Sequence, residues 1–270
     1  MADEILLGGV AIHPVERTLL RMSMMIWGKS GTGKTTFACT APGQKLILNF
    51  DPDGPQSVVS RDDVIVADYS DQTSHFVERL TGEDPLKLDR FLEEHTEIET
   101  VILDSATSLG QLALVRAVNK TKSATMELPG IPGYTARNII MLQTIRALLA
   151  VTKKHNRHFI LIAHEDTPNT DSQGNIIDIQ VLLSGKLPDH VPINLSEVWY
   201  LSDIKKIRKI AVRPCRLHTP MKTRMFVTNG EPEFILKYDQ SKSDSDQEHT
   251  IANWYVKWQE TGGRKLELPT

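Results

Sequence analysis

The stretch Gly28-Lys29-Ser30-Gly31-Thr32-Gly33-Lys34-Thr35 fits G-x-x-x-x-G-K-[ST], a loop whose chemistry is the wrapping of phosphate. Its glycines permit tight turns, so that backbone N–H groups can aim inward at phosphate oxygens. A helix that starts at Lys34 adds the partial positive charge of its N-terminus. Lys34 can reach the β- and γ-phosphates of a nucleotide, and the Thr35 hydroxyl suits Mg²⁺. With Thr36, the next residue of the same turn, these residues form the candidate set for cofactor binding, Gly28 to Thr36.

A nucleotide held with Mg²⁺ also needs an acid. Val101-Ile102-Leu103-Asp104 is an apolar run ending in a carboxylate, which suits a buried strand that delivers Asp104 to the metal or its water. Thr35 and Asp104 are therefore the expected metal pair. Hydrolysis further needs a group that orients and deprotonates water. Asp51 and Asp53 follow the apolar run Lys45 to Phe50, at the strand end where ligands of open α/β sheets gather. Asp51 is the favoured base and Asp53 its rival, although Asp-Pro-Asp-Gly also reads as a plain turn. His164 closes the apolar run Phe159 to Ala163, where it either hydrogen-bonds a γ-phosphate or simply ends a strand.

These residues need a scaffold. Met22 to Trp27 reads as a strand before the loop, and Lys34 to Thr40 as a short helix stopped by Pro42-Gly43. Strands are expected at 45–50, 64–66, 100–104 and 159–163, with Ser105 capping a helix that runs to about Val118. Residues 72–95 read as two helical pieces broken near Gly82 and Pro85. Residues 119–133 read as a loop, 134–155 as a helix and 165–175 as a polar loop. Strand-like segments recur at 176–183, 197–201, 207–213, 224–228 and 233–238. Alternating strands and helices followed by crowded strands imply an α/β fold: a mostly parallel sheet flanked by helices, with an antiparallel C-terminal strand extension. One domain is expected over 1–238. Residues 239–270 are expected to form a polar linker, a short helix bearing Ile251, Trp254, Tyr255 and Trp258, and a tail.

Composition narrows the partners. The chain has 270 residues and a formal net charge of −3, so no global basic field advertises nucleic acid. The local exception is Lys205 to Arg224, with eight Lys and Arg and no acid. Its alternation with Ile204, Ile207, Ile210 and Val212 predicts one basic sheet face. Only Cys39 and Cys215 are present, which suits a reducing compartment. The start Met-Ala-Asp-Glu does not resemble a signal peptide. The longest apolar candidate, Ile139 to Val151, is interrupted by Gln143, Thr144 and Arg146 and falls short of the ~20 residues a bilayer span needs.

The loop, the strand Val101-Ile102-Leu103-Asp104-Ser105, the acid after Leu46-Ile47-Leu48-Asn49-Phe50, and Ile160-Leu161-Ile162-Ala163-His164-Glu165 together resemble the RecA-like P-loop ATPase core. They look most like its compact, phage-encoded AAA-domain members, found beside single-strand-binding and annealing proteins. The likeness covers roughly residues 20–230. It implies a RecA-like P-loop NTPase core, ATP and Mg²⁺, homo-oligomers with ATP between subunits, and single-stranded DNA as the polymer partner. The DNA-contacting loops would be 119–133, with Lys120 and Lys122, and 165–190. A single-strand-binding or annealing protein is a further partner it suggests, and a bacterial host cytoplasm the location. Lys222-Thr223-Arg224 resembles a Lys-x-Arg element that reaches a neighbouring subunit's γ-phosphate. The catalytic set would then be Lys34, Asp51, Asp104, His164, Lys222 and Arg224. The sequence departs from the family in having Asp51 where a glutamate is usual.

Two other readings compete. One is a P-loop ATPase that assembles or remodels protein partners, which the net charge favours. The other is a monomeric nucleotide kinase, which would need an arginine-rich lid; residues 165–190 hold Lys186 and no arginine.

Overall fold

The computed structural model describes residues 6–7, 10–11 and 20–270, apart from 53, 83, 122–124, 127, 216 and 240–241. Asp53, Lys122 and Arg216, singled out above, lie outside the described residues.

In chain order the elements are a short strand pair, β1 (Leu6–Leu7) and β2 (Val10–Ala11), then β3 (Ser23–Gly28), α1 (Lys34–Ala38), β4 (Gln44–Asn49) and β5 (Val64–Asp68). Then come α2 (Leu88–Glu94), β6 (Ile98–Asp104), α3 (Ala106–Lys120), α4 (Gly130–Lys154) and β7 (His158–His164). A small hairpin of β8 (Asn169–Thr170) and β9 (Ile176–Asp178) leads to α5 (Leu187–Ile193), β10 (Glu197–Ile204) and β11 (Ile207–Ala211). β12 (Phe226–Val227), β13 (Glu233–Ile235), α6 (Ile251–Glu260) and β14 (Leu266–Glu267) complete the chain.

The central sheet has eight strands in the order β13-β11-β10-β3-β7-β6-β4-β5. From β10 to β5 every pairing is parallel, and β11 and β13 add antiparallel strands at one edge. This is the mostly parallel core with an antiparallel C-terminal extension that the order of strands and helices implies. β10 is parallel to β3 and belongs to the core rather than to the extension.

Both faces of the sheet are covered, so its central strands are continuous apolar runs rather than alternating ones. Successive residues nevertheless point to opposite faces. Met25, Trp27, Val101, Leu103, Phe159 and Leu161 join one buried cluster with α3 and α4. Met24, Ile26, Ile102, Ile160 and Ile162 join the other with α1 and α6. The α6 helix shares this second core: the Trp254 ring lies 5.9 Å from Phe37, 5.8 Å from Trp199 and 5.6 Å from Phe226. It is also tied to the end of the P-loop helix, because the Ile251 and Ala252 N–H groups donate to the Thr40 Oγ1 and carbonyl at 3.0 and 2.9 Å. Residues 242–249, part of the polar linker expected above, are tied to the domain. Asp244 accepts from Arg61 at 2.7 Å and from the Tyr238 hydroxyl at 2.9 Å.

Two boundaries differ from the sequence reading for clear physical reasons. α4 begins at Gly130, four residues before Tyr134, and so passes through Pro132-Gly133. Pro132 falls in the first turn, where a missing N–H breaks no helical bond. α5 begins inside 165–190, the second stretch expected to contact DNA as a loop, and runs three residues past it, with Pro188 at its start and Pro192 within it. Two prolines in seven residues hid a helix that its burial of Leu187 and Val191 stabilises.

Candidate nucleotide-binding site

The six parallel strands end together, and the candidate residues follow from where each strand stops. Gly28 ends β3 against β10, where a Cβ would lie 2.1 Å from the Leu201 carbonyl oxygen; only glycine fits. The chain then turns outward and re-enters as α1, whose N-cap Gly33 has φ 87°. Among the described residues none accepts from the backbone N–H groups of Gly33, Lys34, Thr35 or Thr36. These are the orphan donors of a helix start, and they supply the cradle an anion needs.

The Lys34 ammonium lies inside this loop. It donates to the carbonyls of Gly28 at 3.0 Å and Lys29 at 2.7 Å, and lies 3.4 Å from His164 Nδ1. Burial lowers its pKa to about 8, against the pull of Asp104, Asp51 and Glu165 in the other direction. The Thr35 hydroxyl donates to Asp104 Oδ2 at 2.6 Å. Asp104 is almost wholly buried, and burial is the main reason its pKa rises to about 6; the Thr35 hydrogen bond opposes this and the neighbouring Asp51 charge adds to it. Thr35 and Asp104 thus present adjacent hard oxygen donors, the ligand type Mg²⁺ prefers.

Asp51 sits at the end of β4 in a turn fixed by Asn49, whose side-chain amide donates to the Asp51 carbonyl at 2.9 Å and whose Oδ1 accepts from the Asp51 N–H at 3.2 Å. Its carboxylate accepts from the Ser105 hydroxyl at 2.7 Å and lies 3.3 Å from His164 Nε2. Burial pushes the Asp51 pKa upward, but hydrogen bonds with His164, Ser108 and Ser105 outweigh it and hold the group at about 2. The His164 ring thus lies between an ammonium at its Nδ1 and a carboxylate at its Nε2, and with Nε2 protonated it donates to Asp51. His164 therefore bridges Lys34 and Asp51, and its own N–H is fixed by Thr107 Oγ1 at 3.0 Å. Ser105, the residue after Asp104, both caps α3 and holds Asp51.

Lys34, Thr35, Asp51, Asp104 and His164 thus converge at one end of the sheet. Lys222 and Arg224 do not join them within the subunit. Lys222 pairs with Val198, which lies beside Met25, three residues before the loop begins at Gly28. The Arg224 N–H donates to Glu197 Oε1 at 2.7 Å, and burial lowers the Lys222 pKa, as does Arg224 itself. Lys120, expected in a loop, is the last residue of α3, and its ammonium pairs with Glu78 at 2.8 Å. The basic run is also less bare than its composition suggests: Arg208 pairs with Asp203 and Lys209 with Glu233.

Two neighbours of the loop were not picked out in the sequence. A Cβ on Gly33 would meet the Arg208 guanidinium at 3.6 Å, so this arginine overlies the loop from β11. The signal was the placement of β11, which becomes visible only once β10 is known to flank β3. Glu165 is the second. Its N–H donates to the Gly28 carbonyl at 3.0 Å and its carboxylate accepts from the Tyr200 hydroxyl at 2.7 Å. Thr36 lines a polar cavity of about 550 Å³, walled by Arg61, Asp62, Tyr238 and Asp244.

A phosphate loop between a central parallel strand and its helix, with a strand-end acid hydrogen-bonded to the loop threonine, defines a P-loop nucleotide-binding protein. The chain belongs to the AAA domain family, whose profile matches residues 20–232. Among solved structures it is similar to the RadB recombinase, at 14% identity over 73% of this chain and 84% of that one, with a TM-score of 0.40. No curated protein matches the chain.

Proposed function

We propose that the protein is an oligomeric, Mg²⁺-dependent ATPase of the RecA-like type that acts on single-stranded DNA in phage recombination, annealing or replication. The observation that carries the ATPase reading is the contact of Thr35 with Asp104, set beside Lys34 and the Asp51–His164 pair. Bound Mg²⁺ would neutralise charge on the phosphates, and Thr35 and Asp104 would hold it. Lys34 would exchange its two loop carbonyls for phosphate oxygens. Asp51, held ionised by Ser105 and His164, would orient the attacking water; a carboxylate this acidic directs water better than it stores a proton. The polar cavity beside Thr36 suits the nucleoside.

Lys222 and Arg224 would serve a neighbouring subunit, since Arg224 is exposed and both lie away from the site in their own chain. An arginine supplied in trans is worth ~10³–10⁵ in rate. Arg224→Ala should then bind nucleotide normally yet turn it over poorly. Mixing it with Lys34→Ala should restore activity from two inactive proteins. No recovery in a mixture shown to co-assemble counts against the trans role. ATP turnover with and without single-stranded DNA tests the whole reading, with stimulation by DNA as the expected outcome. Turnover indifferent to DNA, with no salt-sensitive DNA binding, would favour the second reading, an ATPase that remodels protein partners. An apolar groove on α4 supports that second reading.

A further inference from the structure

Three cations are nine-tenths or more buried among the described residues: Lys34, Lys45 and Arg137, at 5%, 4% and 5% exposure. Lys34 faces Asp104, Asp51 and Glu165, and Lys45 is paired with Asp63. Arg137, on α4, faces no acid among the described residues. Its guanidinium donates to Ser184 Oγ at 2.7 Å and to Asn138 Oδ1 at 2.9 and 3.3 Å, and lies 5.5 Å from the centre of the Tyr134 ring. Burial lowers its pKa, and Tyr134 opposes it. A buried charge met only by neutral groups is costly, and a carboxylate would relieve it.

Its partners Ser184, Asn138 and Tyr134 line a groove of about 880 Å³ between α4 and α5. The rest of the wall is largely apolar, from Ile131, Ile139 and Leu142 on α4 and Leu187 on α5. Ile131 is 83% exposed and Ile139 52%, which marks a face meant to be covered. Among the described residues Lys186 is the single lysine or arginine of the lining. Such a wall suits a nucleic-acid backbone poorly, because phosphates laid along its isoleucine and leucine side chains would lose water and meet one lysine and a few neutral donors.

We propose that this groove docks a segment of a partner protein that combines apolar side chains with one carboxylate. The apolar groups cover Ile131, Ile139 and Leu142, and the carboxylate takes the place of Ser184 on Arg137. The inference is independent of whether the protein hydrolyses ATP.

A displayed library of random 12-residue peptides, selected against the full-length protein, tests it. Enriched peptides should carry one Asp or Glu flanked by apolar residues. The synthesised consensus peptide should lose about 30-fold or more in affinity when its acid is replaced by the amide, the cost of stripping one partner from a buried charged pair. Ile131→Ser with Ile139→Ser, both at exposed positions, should weaken it about tenfold while the melting temperature holds. Ser184→Asp should abolish binding by supplying the missing carboxylate from within the chain, and it does so without disturbing Arg137. No enrichment, peptides without an acid, or equal binding of the amide analogue would overturn the proposal. So would competition by a 15-nucleotide oligo-dT for the same groove, or loss of self-association in the Ile131→Ser/Ile139→Ser variant, which would give the groove to DNA or to a second copy of the chain.

Discussion

Lys34 and Arg137 are equally buried and live in opposite company. Three carboxylates act on Lys34 and, among the described residues, none on Arg137. The end of the sheet around Lys34 is a closed network in which every charge has a counter-charge and each hydrogen bond is relayed to the next: Thr35 to Asp104, Lys34 to His164, His164 to Asp51, Ser105 to Asp51. Such a site is preorganised, and its acids are in place before any ligand arrives. Behind the wall of the α4/α5 groove, Arg137 is one half of a pair, reached through Ser184, and the other half is left to a partner. The difference separates a site built to do chemistry from one built to recognise.

The comparison breaks most visibly at Lys34. Lys34→Ala should abolish ATP turnover while the fold persists, because among the described residues Lys34 is the lysine whose ammonium is bonded to the loop carbonyls; wild-type turnover in purified mutant would reject the assignment. Next in size is Asp51→Asn, which should bind nucleotide about as well as wild type but hydrolyse it ~10²–10⁴-fold more slowly. Binding measured by a fluorescent analogue and turnover by phosphate release separate the two effects. Loss of binding in step with turnover would make Asp51 a structural residue of the turn.

The part of this contrast that the sequence makes legible is the part written in contiguous residues. Gly28 to Thr35 carries the loop in order, and Val101 to Asp104 ends its strand on the acid that Thr35 meets. Asp51 and His164 were found for the same reason, as polar residues closing apolar strands. Arg208 and Glu165 were not, because their proximity to the loop depends on which strand flanks β3, a tertiary choice that no local pattern encodes. The groove was hidden more deeply. Arg137 looks like any polar residue of an amphipathic helix, and its isolation depends on a second wall, α5, whose prolines disguise it.

Asp104 sharpens the comparison, because here the site itself bears a cost. Its pKa is raised to about 6 from 3.8, chiefly by burial. The folded chain therefore binds this proton more tightly than the unfolded chain, and stability from this group rises as pH falls from about 6 toward 3.8. Asp51 has the opposite sign: its stabilisation is present above 3.8 and is lost as pH falls toward 2. Asp104→Asn should accordingly lose Mg²⁺-dependent turnover and yet stabilise the nucleotide-free protein at pH 8 by roughly 2 kcal/mol, a gain that shrinks by pH 5. Denaturant unfolding at the two pH values measures it. A variant that is less stable at both would mean that the Thr35 hydrogen bond outweighs the burial of charge.

The smallest effect tests the groove without any ligand. Ser184 is exposed, and its hydroxyl accepts from the Arg137 guanidinium at 2.7 Å, so a carboxylate at this position reaches the same nitrogen. Ser184→Asp should convert a neutral hydrogen bond into a charge-assisted one and stabilise the fold by about 1 kcal/mol, or roughly 2–4 °C in Tm for a chain of this size. Ser184→Asn, similar in shape and uncharged, should give little or nothing. The gain should also carry the pH signature of an acid held by a cation. Arg137 would depress the folded pKa of the new carboxylate, so the stabilisation is complete above the unfolded value of about 3.9 and disappears as pH falls through the folded value. A pH-independent gain, or an equal gain in the asparagine variant, would mean that Arg137 is already satisfied by Ser184 and Asn138. Its burial would then be ordinary packing, and the groove would lose the charge that makes it selective for an acidic partner.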